Sequence, residues 1–598
     1  MCGISGEIRF DGRATDLEAV ERMTRALAPR GPDGHGTWAH GPVALGHRRL
    51  AIIDVSPRGA QPMADEELGC TIAFNGCIYN HRELRRELEG VGYRFRSTSD
   101  TEVILKAHHR WGDDAPEHLS GMFAYALHWT ASGRTLLVRD RQGIKPLYLT
   151  DDGDRLRFAS TLPALLAGGG VRTDVDPVGL HHYLTFHSIV PAPHTVLADV
   201  RKLPPATMLS IEPDGRQEER TWWRATYGPD PDRAEWTERD WQDAIADALR
   251  VAVRRRLVAD VPVGVLLSGG LDSSLIVALL AEEADAVPST FSIGFDPVGG
   301  RAGDEYRWSD LVAREFGTDH HRLHVPSAEV APALPGAVAA MSEPMASHDV
   351  VAFGLLSHVV AQHVKVVQSG QGADEVFAGY HWFADLASCP PDATADAYLD
   401  AFRDRPHDEL SSLVPADLVP TRDVSAELVR RHVDDPGGLA PGAGALDRAL
   451  RFEIEAMMPD DPVKRVDNMT MAWALEARVP FLDPDLVALA ARCPAELKLA
   501  DGGKGILKDI GRKVLPAEVV DRPKGYFPVP GLVQLDDSVV ARLREVLGDP
   551  AARRRGLLRP EAVDRLLAAP NAELTPTGGN VLWPLALLEW WFQVHVDR

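Results

Sequence analysis

The chain has 598 residues, with 64 Lys and Arg against 87 Asp and Glu, 45% hydrophobic and 25% charged residues. That composition excludes a disordered or collagen-like chain, and the formal net charge of −23 argues against nucleic acid and anionic membranes as partners. The length allows about four domains of about 150 residues each, or two or three large α/β domains. The five cysteines, Cys2, Cys70, Cys77, Cys389 and Cys493, form no C-x-x-C pair and no Cys/His ligand cluster. This points to a reducing compartment and no structural zinc. No apolar run approaches about 18 residues, and Met1-Cys2-Gly3-Ile4-Ser5-Gly6 lacks the basic-then-apolar layout of a signal peptide, so a cytoplasmic protein is expected.

Up to about residue 215, short β-rich runs such as Val43-Ala44-Leu45-Gly46, Thr71-Ile72-Ala73-Phe74 and Thr135-Leu136-Leu137-Val138 alternate with a few helical stretches, near 17–27 and 101–111. This pattern predicts layered sheets with helices outside. A polar linker is expected over 216–238, centred on Tyr227-Gly228-Pro229-Asp230-Pro231-Asp232-Arg233. Beyond it, over 239–598, a helix near 241–257 leads into the apolar strand Val263-Gly264-Val265-Leu266-Leu267, a Gly/Ser turn, a helix near 275–281 and a strand near 290–295. That is the βαβ rhythm of a parallel sheet. The Asp-, Pro-, Ala- and Gly-rich stretch 389–445 suggests a surface insertion of short helices. The aromatic segment from Leu582 to Trp591 has the spacing of a packed helix.

A Cys directly after the initiator Met places a thiol and, once Met is removed, a free α-amine on one residue, and that amine can act as the thiol's base. On its own, Cys2 carries little weight. It is followed in order by Arg30-Gly31-Pro32-Asp33, Gly46-His47-Arg48-Arg49-Leu50, Asn75-Gly76-Cys77-Ile78-Tyr79-Asn80, Ser99-Asp100-Thr101-Glu102 and Arg139-Asp140-Arg141-Gln142-Gly143. Each motif has a use if a free amino acid is hydrolysed at its side-chain amide. Arg49 suits an α-carboxylate and Asp100 an α-ammonium, while Asn75 and Gly76 can offer two donors to a tetrahedral oxyanion. The set resembles the class II glutaminase domain of glutamine amidotransferases over 1–215, which implies an N-terminal nucleophile hydrolase αββα fold. Relatives usually carry Glu where this chain has Cys77, so glutamine-binding contacts at that position are in question.

Ser268-Gly269-Gly270-Leu271-Asp272-Ser273-Ser274 lies between a buried strand and a helix, where backbone N–H groups can cradle a pyrophosphate and Asp272 can hold Mg²⁺. It is neither the GxxxxGK[ST] loop nor the dinucleotide GxGxxG. A second Gly-rich turn, Gln368-Ser369-Gly370-Gln371-Gly372-Ala373-Asp374-Glu375, offers Asp374 as a second Mg²⁺ ligand. Further on come Val463-Lys464-Arg465-Val466-Asp467, Leu475-Glu476-Ala477-Arg478-Val479-Pro480-Phe481-Leu482-Asp483, Gly503-Lys504 and Arg522-Pro523-Lys524-Gly525.

The SGGLDSS loop resembles that of ATP pyrophosphatases, and the whole chain resembles the glutamine-hydrolysing asparagine synthetase family. The resemblance implies an α/β multidomain enzyme that pairs the glutaminase domain with a parallel-sheet PP-loop synthetase domain. Such an enzyme, with Mg²⁺ as cofactor, splits ATP into AMP and pyrophosphate as it activates a carboxylate as an acyl-adenylate, and passes ammonia between its sites by an internal tunnel. It further implies that Leu266, Ile293, Ser369 and Gly370 line the ATP site with the 268–274 loop, and that Lys524 is catalytic and Lys504 a phosphate contact. The implied partners are L-glutamine, ATP and a small carboxylate acceptor, with a homodimer left open.

Asparagine synthetases proper have Glu where this chain has Gln371, which marks Gln371 as an acceptor-site candidate, since an amide is no base near neutral pH. Ser342-Glu343-Pro344-Met345-Ala346-Ser347-His348-Asp349 also departs from the family's usual DEPxADPS. In motifs the chain looks closest to the branch named N-acetylglutaminylglutamine amidotransferase, which implies a dipeptide acceptor. Aspartate, another small carboxylate, or a glutamine- or nucleotide-sensing role without turnover are the alternatives.

Overall fold

The computed structural model describes residues 2–283, 287–297, 303–347, 349–523, 532, 534–576 and 578–597. Residues 3–221 fold into two antiparallel six-stranded sheets. The first runs in the order Arg201–Lys202, Tyr148–Asp151, Arg155–Ala159, Gly3–Arg9, Val43–Arg49 and Gly34–His40. The second runs Gln217–Thr221, Thr207–Ile211, Thr135–Arg139, Gly121–Trp129, Cys70–Ile78 and Met63–Asp65.

Strand alternation sends Ile4, Ile8, Val43 and Leu45 from the first sheet, and Ala73, Ala124, Ala126 and Leu137 from the second, into one shared apolar layer. Outside the first sheet the helix Leu17–Ala26 buries Val20 and Met23, its start capped by Asp16, whose carboxylate accepts from Ala19 N–H at 3.0 Å. Outside the second sheet the helix Asp100–Trp111 buries Val103, Ile104 and Ala107. Helix, sheet, sheet and helix make the four layers expected from the sequence. Cys2 stands immediately before the central strand Gly3–Arg9 of the first sheet.

The second half is built on a parallel five-stranded sheet in the order Asp319–Val325, Ser289–Phe295, Val263–Leu266, Val366–Gln368 and Glu476–Arg478. The helix Leu271–Glu283 makes the crossover from Val263–Leu266 to Ser289–Phe295 and is buried from Ser273 to Leu280, so its sequence is apolar nearly all round. Because Val263–Leu266 pairs directly with Val366–Gln368, the two Gly-rich turns that follow these strands emerge side by side. The helices Thr394–Phe402 and Val424–Asp434 close on Ala445–Phe452 through Tyr398, Val429 and Leu450. In the last helix, Leu582–His595, Trp590, Trp591 and Phe592 are buried, and the Trp591 indole N–H donates to Met341 O at 3.1 Å. No described helix is long and apolar enough to cross a membrane.

Two buried charge networks fasten the halves together. Asp467 accepts from Arg30 Nη1 at 2.8 Å, from Arg30 Nη2 at 3.2 Å and from Lys145 Nζ at 3.1 Å. Glu343 Oε1 accepts from Tyr148 Oη at 3.0 Å, Lys202 Nζ at 3.0 Å and Lys464 Nζ at 3.1 Å, and Lys202 also reaches Asp460 at 2.7 Å. Burial alone would raise the Asp467 pKa, but Arg30 and Lys145 outweigh it and hold the carboxyl at about 2.

A folded pKa below the unfolded one means that the carboxylate stabilises the fold above 3.8 and loses this contribution as pH falls toward about 2. Asp467→Asn strands two buried cations and should cost about 3–5 kcal/mol at neutral pH. Urea denaturation of parent and variant checks this; coincident midpoints would contradict it.

Candidate active sites

Cys2 is 8% exposed, and its Sγ lies 3.9 Å from Leu50 O. Burial pushes the thiol above its ordinary pKa. The Cys2 backbone N–H donates to Asn75 Oδ1 at 3.1 Å, and Arg30 Nε donates to Cys2 O at 3.2 Å. With Oδ1 engaged, the fully buried Asn75 presents Nδ2, which has no hydrogen-bond partner among the described residues. Gly76 is pressed against the neighbouring strand, where a Cβ would sit 2.2 Å from Met122 O.

The pocket beside the thiol is lined by Arg49, Gly76, Cys77, Asp100 and, from the other half of the chain, Glu476. Arg49 gives Nη1 to Ser56 O at 2.8 Å and Nη2 to Asp54 O, so part of the guanidinium is held by its own loop. Asp100 opens its helix and accepts from Ile78 N–H at 3.0 Å, and burial raises its pKa. The buried Cys77 thiol faces Arg478, whose Nη2 lies 3.6 Å away, and burial pushes the thiol well above its ordinary range. Glu476 is bound to Arg478 Nε at 2.6 Å. Sequence reasoning noted Leu475-Glu476-Ala477-Arg478 only as a motif; that Glu476 walls the thiol pocket follows from domain packing.

The larger cavity, about 440 Å³, opens over the C-terminal edge of the parallel sheet. It is lined by Leu266, Ser268, Gly270, Asp272, Ser273, Ile293, Ser369, Gly370, Gln371, Asp374 and Lys504, all expected from the sequence. Gly269 and Ser274 lie behind this wall. Gly269 has φ +74°, and a Cβ there would meet Ser309 N at 2.5 Å, so the turn requires glycine. Within the loop, Ser273 Oγ accepts from Ser268 N–H at 3.2 Å and donates to Gly270 O at 3.3 Å. Lys524 lies outside the described residues.

Lys504 Nζ bridges the two loop carboxylates, 2.7 Å from Asp272 Oδ2 and 2.9 Å from Asp374 Oδ2. Burial works against the ammonium, but Asp272 and Asp374 outweigh it and lift its pKa. Gly379 makes room for this arrangement: a Cβ would fall 2.1 Å from Asp374 Oδ1 and 2.3 Å from Lys504 Cε. Among the described residues no three His, Cys, Asp or Glu side chains gather as a metal cluster. Two carboxylates facing a phosphate loop still fit a hard cation that takes its other ligands from phosphate oxygens.

The cleft is also walled by Asp349, Phe353, Tyr380 and Arg465, which sequence reasoning did not assign. Arg465 Nη1 lies 3.5 Å from Asp461 and 3.9 Å from Asp349, and donates to Ser347 Oγ. Next to Asp374, the Glu375 carboxyl accepts from Tyr380 Oη at 2.5 Å and is pushed up to about 7, chiefly by burial and then by Asp374.

A carboxyl whose pKa is raised on folding favours the folded state fully below 4.5 and loses that advantage as pH rises through about 7. Glu375→Gln should therefore gain stability relative to the parent between about pH 5 and about pH 8, by as much as about 3 kcal/mol. Urea midpoints at the two pH values test it, and a pH-independent difference would rule it out.

The asparagine synthase family model matches residues 244–593, and the glutamine amidotransferase domain model matches residues 1–223. Asparagine synthetase [glutamine-hydrolyzing] 1 of Bacillus subtilis is 30% identical over 100% of this chain and 97% of its own length. Asparagine synthetase B of Escherichia coli is 28% identical over 99% and 96%, and a putative asparagine synthetase of Mycobacterium bovis is 32% identical over 89% and 88%. The chain belongs to the glutamine-hydrolysing asparagine synthetase family and is a glutamine-dependent carbon–nitrogen ligase.

Proposed function

We propose that the thiol of Cys2 hydrolyses glutamine and that the ammonia is transferred to an acyl-adenylate formed in the 440 Å³ cleft. The observation that carries this reading is a single apolar cluster that includes lining residues of both pockets, Leu50, Ile52 and Cys77 of the first and Leu267, Val519 and Val520 of the second. It joins Leu50, Ile52, Cys77, Met122 and Ile144 from the first half to Val265, Val366, Ala373, Val463, Met471 and Val479 from the second. Ammonia reacts as a nucleophile only while unprotonated, and an apolar, water-poor path keeps it so.

In the thiol pocket, Sγ attacks the δ-carbonyl carbon of glutamine. Asn75 Nδ2 and the Gly76 N–H receive the developing oxyanion. Once Met1 is removed, the α-amine of Cys2, placed by Asn75 Oδ1, takes the thiol proton and delivers it to the departing ammonia. Water then releases glutamate from the thioester. In the cleft, the acceptor carboxylate attacks the α-phosphorus of ATP and pyrophosphate leaves into the 268–274 loop, whose N–H groups open the helix Leu271–Glu283. Asp272 and Asp374 would hold Mg²⁺, which supplies charge neutralisation on the phosphates when bound. Lys504, and Lys524 by family resemblance, add positive charge on the same side.

In this reading the acceptor is N-acetylglutaminylglutamine. Gln371 supports it by giving the cleft wall an uncharged amide where a small, highly charged acceptor would call for a carboxylate. Aspartate is the second reading, favoured by the names of the relatives at 28–32% identity.

Cys2→Ala should reduce glutamine-supported amidation by about 10³-fold or more, while amidation supported by high ammonium at mildly alkaline pH stays within about twofold of the parent. Thioester trapping and AMP release measure the two halves, and glutaminase turnover in the variant would refute the nucleophile assignment. In direct competition, the parent should amidate the N-acetylated dipeptide in preference to aspartate, with AMP and pyrophosphate as co-products, and Gln371→Glu should shift the preference toward aspartate. A parent that makes asparagine and ignores the dipeptide overturns the acceptor and leaves the two-site chemistry standing.

A further inference from the structure

Among the described residues, four acids line the larger cleft: Asp272, Glu305, Asp349 and Asp374. Three of them are committed elsewhere. Asp272 and Asp374 share Lys504, and Glu305 Oε1 accepts from Arg522 Nη2 at 2.6 Å. The fourth, Asp349, has 39% of its side chain exposed and is within reach of whatever enters the cleft. A free amino acid bound there would bring an α-ammonium, and an ammonium taken out of water needs a carboxylate partner. Asp349 is the acid left to provide one.

Asp349 is already faced by a cation. It opens the helix Asp349–Val360, which packs on the helix Pro462–Met471, where a Cβ at Gly354 would meet Met469 Sδ at 3.6 Å. From the second helix Arg465 brings Nη1 to 3.9 Å from Asp349 Oδ2. The pair is loose, but the guanidinium is tied in place. Its Nη1 donates to Ser347 Oγ and stands 3.5 Å from Asp461 Oδ1, one turn back along the chain. With only 11% of its side chain exposed, Arg465 is the buried member of the pair and Asp349 the accessible one. An arriving ammonium would have to share one carboxylate with a cation that stays. Phe353, four residues on from Asp349 and on the same helix face, lines the cleft too and offers an apolar ring to an acyl group instead.

We propose that Arg465 is a specificity-determining residue of this cleft: held against Asp349, it denies that carboxylate to an α-ammonium and favours acceptors whose α-nitrogen is acylated. The inference rests on the reading that the acceptor is an N-acylated dipeptide, and adds to it the residue that enforces the choice. Removing the guanidinium turns Asp349 into a counter-ion for free amines.

The test is a matched pair of acceptors, L-glutaminyl-L-glutamine and its N-acetyl derivative, which differ at the α-nitrogen alone. ATP and ammonium are supplied, so the thiol pocket takes no part. Pyrophosphate release should show the parent preferring the acetylated peptide at least about tenfold in kcat/KM, and Arg465→Met should cut that preference about tenfold. Arg465→Gln, which keeps a donor for Ser347 Oγ but no charge, should do the same, whereas Arg465→Lys should retain most of the preference. Adding Asp349→Asn to Arg465→Met withdraws the liberated carboxylate and should restore the preference. The ratio is taken within one preparation, so loss of folded protein lowers both rates and leaves it unchanged. A parent that prefers the acetylated peptide, with a ratio that neither charge-removing variant alters, overturns the role of Arg465 and leaves the acceptor reading standing. So does an altered ratio that Asp349→Asn does not reverse. A parent that amidates aspartate and neither peptide overturns the acceptor reading and this inference with it.

Discussion

Asp467 is the point on which the arrangement of the two pockets depends. It draws in Arg30, which also holds the carbonyl of Cys2, and Lys145, so a carboxylate on one half fixes the residue that carries the thiol on the other. The same segment continues into the edge strand Glu476–Arg478. There Arg478 touches both sites at once. Its side chain faces Cys77 in the thiol pocket, and its carbonyl accepts at 2.9 Å from the N–H of Ser369, which lines the larger cleft. Moving this strand would open the thiol pocket and misplace the second Gly-rich turn together, so the two pockets share one structural element.

Electrostatics in the cleft follow from one lysine. Without Lys504, Asp272 and Asp374 would face each other as like charges across a partly buried space, and each would be driven toward its neutral form. With it, the two carboxylates share one ammonium, at 2.7 Å and 2.9 Å. The geometry leaves little slack, because Gly379 lets the Lys504 stem and the Asp374 carboxylate share a space that any side chain would fill. The rise in the Glu375 pKa comes chiefly from burial and then from Asp374 beside it, and the Tyr380 hydroxyl offsets part of it.

What was legible in the sequence is what rests on backbone geometry. Ser268 to Ser274 and Ser369 to Glu375 each follow a β-rich run and precede a helix, and strand–turn–helix geometry dictates both residue types and spacing. That the first half holds layered sheets with helices outside was legible because its strands alternate and its helices are amphipathic, whereas the four-layer order came with the resemblance to the class II glutaminase domain. Glu476 in the thiol pocket and Arg465 in the cleft were not, because each depends on how segments far apart in sequence pack together. The only trace they left was position inside a motif: Arg465 sits in the Val463 to Asp467 run and Glu476 in the Leu475 to Asp483 run, where the residue type alone gives no role.

The same distinction explains why the reaction is easier to read than the acceptor. In the proposed reading, adenylation would hold one end of the acceptor, its carboxylate, against the Ser268–Ser274 loop. In that reading the rest of the acceptor would face Asp349, Tyr380 and Arg465, side chains from three separate segments of the cleft lining. Asp349 is the acid in that set that a free α-ammonium would seek, yet the Arg465 guanidinium already lies 3.9 Å from it and 3.5 Å from Asp461. An N-acylated acceptor brings no ammonium and has no need of Asp349, whereas aspartate would have to compete with Arg465 for it. With Gln371 contributing no charge, the balance around these residues is set by the Arg465–Asp349 pair, and the proposed choice of a blocked peptide over a free amino acid rests on that pair staying closed.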